Sequence, residues 1–358
     1  MTFPLKLRQL FSSLGQPLLA VAIGLITGAI AIALIGEPIL GAYKEMWNGA
    51  FGNFYFFTST LARSTPIMLV GLGVALAFRA GVFNLGAEGQ MVLGALSAAL
   101  AALYVPGPGI VKIIAALAAG IVAGGIWSFF AGWLEAKFKV QLLISTLLLN
   151  YIADLFASYM VSGPFQDKTG SAALAQTRML EPQVWLPKLF PGMSLHAGFI
   201  LAIAAAIILF IVFKSTAIGY EVKMMGMNPF FAEYGGVNKL KVLLFSMFWS
   251  GGLAGLAGTV EVLGSQYRFI DGALTAPGLA WTGIMATLLA NSNPLGVVVS
   301  SILLAALQTG GMGMERNTEV PLEISNLIQA VLILFITAKF SYSWWKRKKK
   351  ERDINGVV

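Results

Sequence analysis

The sequence predicts an all-α, polytopic membrane protein with about ten transmembrane helices and both termini in the cytoplasm. Three observations carry that prediction. Of 358 residues, 57% are hydrophobic and only 11% charged, with a mean hydropathy of +0.79. A soluble domain carries roughly a quarter charged residues, so this chain has too few charges to coat a water-facing surface. Apolar runs recur along the whole chain at lengths near the roughly 20 residues that cross about 30 Å of hydrocarbon. Finally, lysine and arginine concentrate on alternate connections between those runs.

The runs fall at about 17–36, 60–78, 87–105, 111–133, 141–161, 197–213, 242–264, 278–290, 294–312 and 320–338. Backbone in lipid must bond internally, so each is read as a helix. Three depart from a plain span: the second contains Pro66, the third opens on a polar turn, and the eighth is short. Residues 1–16 form a cytoplasmic segment, 17–338 the membrane domain and 339–358 a basic cytoplasmic tail. The first span follows Lys6 and Arg8 but is long for a signal-peptide core, so it is read as a retained helix. The longest outer connection, about 162–196, holds Pro164, Pro182, Pro187, Pro191, Gly170 and Gly192, which predicts an ordered external loop with a short interfacial stretch around Val184–Leu189.

With the N-terminus inside, 16 of the 24 basic residues lie on inner segments, among them Arg79, Lys137, Lys139, Lys214, Lys223, Lys239 and Lys241. That bias sets the orientation and puts the tail and the anchors Trp344 and Trp345 against anionic lipid on the inner side. The net charge of +8 is thereby explained by topology and not by nucleic acid. There is no cysteine and a single histidine, His196, which removes disulfides and thiolate metal sites and leaves no histidine cluster for a metal. His196 is read as an interfacial residue at a helix start. No phosphate-binding loop of the Gly-x-x-x-x-Gly-Lys-Ser/Thr type and no serine–histidine–acid set occurs. The sequence therefore predicts no catalytic residues, no metal and no cofactor held by this chain.

The inner segment at about 214–241 carries the most local information. Ile218, Val222 and Met225 make one apolar stripe, and Gly226 is placed to stop that helix. Asn228 can cap a second helix with Pro229 at its first position, and Gly235-Gly236 can end it. A short capped amphipathic pair suits either a loop lying on headgroups or insertion into a groove on a partner.

This segment resembles the coupling segment of permeases in the branched-chain amino acid, ribose and nucleoside group of ABC importers. Gly219, Lys223, Gly226, Asn228, Pro229, Ala232, Gly236 and Val237 fall on that pattern, with Lys223 where arginine is commoner and Met224 and Phe231 where alanines are expected. The run from Gly71 through Arg79, Gly81, Phe83, Asn84, Gly86, Glu88 and Gly89 to Gln90 resembles the group's signature between its second and third helices. Ser250 to Gly258 resembles its small-residue helix, and Ile144 to Ile152 also fits, though Leu142 stands where many relatives carry glutamate. The resemblance covers roughly residues 60–310 and leans towards the nucleoside branch. It implies a permease subunit that imports nucleosides with energy from ATP bound by a separate ABC ATP-binding subunit docked on 219–237. It also implies a second, different permease subunit and an extracellular substrate-binding lipoprotein. A sugar permease is the nearer alternative, and an ion-coupled carrier using Glu88, Asp154 and Glu261 the more distant one; a scaffold without transport is a third.

Candidate pathway residues follow from polarity at membrane depth. Glu88 and Gln90 lie at a helix mouth behind Asn84 and a cluster of glycines, where a broken helix can build substrate contacts or where an acid simply favours the helix dipole. Asn150 and Asp154 are one turn apart and share a face, so they serve either a path or a structural bond to a neighbour. Glu261 is open to both readings. Phe83, Tyr151 and Trp281 can stack on a nucleobase, although packing is the commoner use of such residues. Gly24/Gly28, Gly120/Gly124 and Gly251/Gly255 are spaced for close helix contact.

Overall fold

The structure, a computed structural model, describes residues 21–169, 174–332 and 334–335. The tail and the N-terminal segment read above lie outside the described residues. Twelve helices are α1 (Val21–Ile35), α2 (Ile39–Phe51), α3 (Phe54–Arg79), α4 (Ala87–Tyr104), α5 (Gly109–Phe138), α6 (Leu142–Ser162), α7 (Gly198–Ser215), α8 (Ala217–Met227), α9 (Pro229–Tyr234), α10 (Lys239–Glu261), α11 (Leu279–Leu289) and α12 (Pro294–Asn317). A further helix occupies 323–332. Among the described residues seven helices are long and apolar enough to cross a membrane, or eight if α1 and α2, bent by 120°, count as one. The chain is a multi-pass membrane protein.

Several expectations are revised. Pro66 does not interrupt its span: α3 runs unbroken for 26 residues. The Ser64 and Thr65 hydroxyls both donate to the Leu61 carbonyl in the turn before it, and the proline's missing N–H costs the helix only the bond to the Ala62 carbonyl. The eighth run forms only the 11-residue α11, about 16 Å long and too short to cross alone. The segment after the first run, read as an outer connection, holds α2. Among the described residues of the 162–196 loop the helical element is a 3-10 turn at Pro182–Val184, not a stretch over Val184–Leu189.

The chain divides into two compact units, one from its ends (through Phe57 and from Ala306), the other Thr58–Ala305. In the first, α2 lies against the end of α12 through glycines: a Cβ on Gly49 would meet Gly313 Cα at 2.6 Å, and Gly28 and Ile328 are similarly tight. Ile32, Met46, Met314 and Val320 fill its core.

In the second unit α10 packs most extensively on α5 and α4. Contact at Gly120, Gly124, Gly251 and Gly255 is at backbone distance; a Cβ on Gly124 would lie 2.3 Å from the Gly251 carbonyl oxygen. With no apolar-to-water transfer available inside lipid, such close approach is the means of holding helices together. At one end of this unit residues 174–197 form a cap. Leu186 donates its backbone N–H to Leu263, Leu180 to Tyr267 and Thr177 to Phe269. The Lys112–Glu181 ion pair at 3.2 Å ties the cap to α5, and the hydrogen bond from Gln183, followed by this pair, holds the exposed Glu181 carboxyl below the usual range. α10 ends there in a π turn (Val262–Gln266) closed by Tyr267 at φ 57°, whose ring stacks on Trp185 at 4.0 Å.

His196 lies within this cap, just before α7, and is fully buried. Its Nδ1 accepts from the Gly198 N–H at 3.2 Å, and burial, with Lys188 nearby, pushes its pKa down to about 4.

Candidate functional site

The connection between α3 and α4 does not stay at the membrane edge. From Arg79, residues 80–86 turn back into the bundle without helical structure, and α4 starts at Ala87. Its neighbours there are Asn150, eight residues or about 12 Å into α6, and Ser250, eleven residues or about 16 Å into α10. Both depths are near the middle of a roughly 30 Å core. Non-helical backbone at that depth must find partners inside the protein.

Three of the expected residues supply them. Asn150 Oδ1 accepts the Gly89 N–H at 2.9 Å and its Nδ2 donates to the Leu85 carbonyl at 3.1 Å. Asn84 and Gln90 exchange a pair of amide bonds, both 3.0 Å, and Asn84 also donates to Ser250 Oγ at 2.9 Å. Asn84 Oδ1 accepts from the Gly86 N–H as well. All three side chains are buried. Their first task is to hold a broken helix open, and Gly86 and Gly89 are small because side chains there would strike Gln90, Thr146 and Asn150.

Beside this clasp lies a cavity of about 190 Å³ lined by Glu88, Asn150, Tyr151, Asp154, Thr275 and Trp281. The Trp281 indole N–H donates to the Glu88 carboxylate at 2.9 Å. Trp281 stands in the first turn of α11, so the starts of α4 and α11 meet at this bond. Above it on α6, Ser158 donates to Asp271 Oδ2 at 2.8 Å. Asn150, Asp154 and Ser158 recur every fourth residue and form one polar stripe, with Glu88 and Asp271 facing it from other elements. Tyr151 is 71% exposed at the cavity edge. The arrangement offers carboxylate acceptors for hydroxyl or N–H donors and two aromatic faces for a flat ring.

Of the seven pathway candidates, then, Glu88, Asn150 and Asp154 share the cavity, and Asn84 and Gln90 support it. Phe83 is not there: it is exposed beside a second cavity of about 650 Å³ bounded by Phe78, Glu135, Gln141, Met225, Gly226 and Lys239. Glu261 is elsewhere too, facing Arg63 and Ser265 near the cap. Sequence reading passed over Thr275, Ser158 and Asp271. The i, i+4 extension of Asn150 and Asp154 to Ser158 was available as a signal; Thr275 and Asp271 come from an irregular segment with no periodicity.

The 214–241 segment folds as two helices with a break. Thr216 caps α8 by accepting the Gly219 N–H at 3.1 Å, and Asn228 caps α9 by accepting the Phe231 N–H at 3.1 Å, with Pro229 in the first turn. Gly236 at φ 84° follows α9. Gly226 does not stop α8, which runs on to Met227. It lies instead against the start of the re-entrant connection, where a Cβ would be 2.0 Å from the Arg79 carbonyl oxygen and 3.1 Å from Gly81 N. Gly219 lies equally close on the Val212 carbonyl of α7. Val222, Met225 and Ala232 are buried, while Lys223, Met227, Phe230, Phe231 and Tyr234 are exposed; Ile218, expected in the buried stripe, is 41% exposed.

Comparison with known proteins agrees with this architecture. The chain is 34% identical over 348 residues, 96% of its length, to the guanosine ABC transporter permease protein NupP of Bacillus subtilis (strain 168), covering 99% of that protein. It is 35% identical over 91% of its length to the glucose ABC transporter permease protein TsgB13 of Haloferax volcanii, covering 88% of it. To the nucleoside ABC transporter permease protein NupB of Lactococcus lactis subsp. cremoris it is 32% identical over 90% of each chain. The family profile described as "Branched-chain amino acid transport system / permease component" matches residues 55–337. The protein belongs to that family and is an ABC transporter permease.

Proposed function

We propose that this chain is the membrane-spanning subunit of an ATP-driven importer that carries nucleosides across the plasma membrane into the cytoplasm. The observation that carries the proposal is the continuity from α8–α9 to the cavity. An exposed apolar knob (Met227, Phe230, Phe231, Tyr234) suits a groove on a separate ATP-binding subunit. Directly behind it, Gly226 bears on Arg79 and Gly81, the start of the segment that ends at Glu88. Closing two ATP-binding subunits would press on α8 and, through that contact, shift the 80–86 connection and the Glu88–Trp281 junction. In this reading Gly219, Lys223, Asn228, Pro229, Ala232 and Gly236 shape the docking unit and this chain holds no cofactor of its own.

Both termini lie in the cytoplasm by the distribution of basic residues. The crossings number ten when α1 and α2 count as one, 267–278 and α11 are taken together as one broken span, and the run at 320–338 supplies the last. Charged groups at membrane depth seldom face lipid, and Glu88 and Asp154 sit beside the exposed α6 residues Leu148, Tyr151, Leu155 and Tyr159. A second permease subunit covering that face would complete the path, with a substrate-binding lipoprotein delivering nucleoside to the cap. The aromatic faces of Tyr151 and Trp281 favour a nucleoside; the likeness to a glucose permease keeps a sugar as the second reading.

The test is uptake of labelled guanosine, adenosine, ribose, glucose and leucine in cells expressing or lacking the chain, with ATP depleted in parallel. Nucleoside uptake that needs both the chain and ATP supports the proposal. Uptake confined to sugars moves the substrate, and uptake that survives ATP depletion but follows an ion gradient overturns the coupling argument.

A further inference from the structure

A second feature of the Thr58–Ala305 unit has no place in the transport path. Between α7 and the α3–α5–α10 group runs a crevice of about 500 Å³, lined almost wholly by apolar side chains. On α7 it is bordered by Leu201, Ala205 and Val212, and on α10 by Phe245, Trp249 and Leu256. Each stripe covers twelve residues from first to last, eleven rises or about 16 Å of helix, which matches one leaflet of a roughly 30 Å hydrocarbon core. Small side chains leave it unfilled: α7 meets the bundle through Gly198, Ala202 and Ala206, and Ala204 and Ala205 border the crevice itself.

The ends of the crevice differ in charge. At the α8 end its lining closes with Leu76, Val212 and Phe245. One helical turn further on the same faces stand Arg79, three residues beyond Leu76, and Lys241, four before Phe245. The Arg79 guanidinium lies over the Phe213 ring at 4.4 Å, and among the described residues neither Arg79 nor Lys241 joins an ion pair. An apolar slot one leaflet long with cations at one mouth is complementary to an acyl chain carrying a phosphate headgroup.

We propose that this crevice is a binding site for an anionic phospholipid of the leaflet on the α8 side, with one acyl chain between α7 and α10 and its phosphate at Arg79 and Lys241. The chain then braces α7, whose Val212 carbonyl supports Gly219 of α8, so occupancy bears on the position of the docking segment.

The experiment uses the full-length chain, purified from membranes with its accompanying subunits and placed in phosphatidylethanolamine nanodiscs. The probe is phosphatidylglycerol with a photoreactive diazirine in one acyl chain, and adducts are mapped by mass spectrometry. Adducts are expected to concentrate on the crevice faces of α7 and α10. Ala205→Phe, which fills the slot, should remove them while leaving labelling of the exposed side of α5 around Ile114 and Ile126. Arg79→Gln and Lys241→Gln, which leave the slot unchanged, should each lower the preference for phosphatidylglycerol over a phosphatidylethanolamine probe roughly five-fold. Adducts spread evenly over the outer helices, or equal labelling by both headgroups in the unsubstituted protein, would overturn the proposal. So would crevice adducts that persist in Ala205→Phe.

Discussion

Substitution of Gly226 by alanine tests whether the α8–α9 segment works through its contact with the re-entrant connection. The added Cβ would stand 2.0 Å from the Arg79 carbonyl oxygen, against 3.4 Å for ordinary contact. The two backbones must therefore part by about 1.4 Å, and neither atom is the end of a flexible side chain. Overpacking of this kind costs about 1–3 kcal/mol. Alanine's helix propensity offsets about 1 kcal/mol of that within α8, so the variant should fold and assemble. The displacement falls on a contact that joins the segment to the re-entrant connection leading to the cavity. Gly235→Ala is the matched control, since a Cβ there has nothing nearer than 3.4 Å. The assay measures uptake and ATP hydrolysis separately in vesicles holding the assembled importer. Gly226→Ala should lower uptake per ATP on the order of ten-fold, equivalent to about 1.4 kcal/mol, while Gly235→Ala stays near the unsubstituted value. Equal uptake per ATP in the two variants, at equal assembly, would refute the idea that this contact transmits the motion.

Asn150→Leu leaves the Gly89 N–H and the Leu85 carbonyl buried without partners, at about 1–3 kcal/mol each; thermal unfolding in detergent should come at clearly lower temperature, and an unchanged midpoint would deny Asn150 its structural task. Trp281→Phe keeps the ring and removes the 2.9 Å bond to Glu88. Nucleoside uptake should fall several-fold at unchanged membrane level, and an unaffected rate would separate that bond from transport. For His196 the folded pKa of about 4 lies below the ordinary 6.5, so the unfolded chain binds more protons between the two values. Stability should be complete above pH 6.5 and fall towards pH 4, by about 3 kcal/mol in all. His196→Asn, able to accept from the Gly198 N–H without titrating, should flatten the midpoint measured between pH 7.5 and 5, and an equally steep variant would place the titration elsewhere.

By itself the sequence determined what local chemistry decides. Apolar run length marked α3, α4, α5, α6, α7, α10 and α12 as spanning candidates, because helix is the form in which a lipid-embedded segment satisfies its own backbone. Capping chemistry located the α8–α9 break at Asn228-Pro229 and ended α9 at Gly235-Gly236. Polarity at depth singled out Glu88, Asn150 and Asp154, which do meet. The tertiary structure alone decided three other matters. α2 was hidden because Ile39–Phe51 is too short to read as a span and bends off α1 at a turn. Gly226 read as a helix stop because its neighbour, the Arg79 carbonyl, is distant in sequence and nothing local records that contact. The cavity's far wall, Trp281 and Thr275, with Asp271 bonded to Ser158 above it, depends on an irregular segment folding back into the bundle. Hydrophobic period reports which residues avoid water, and within a membrane it is nearly silent on which helix they meet.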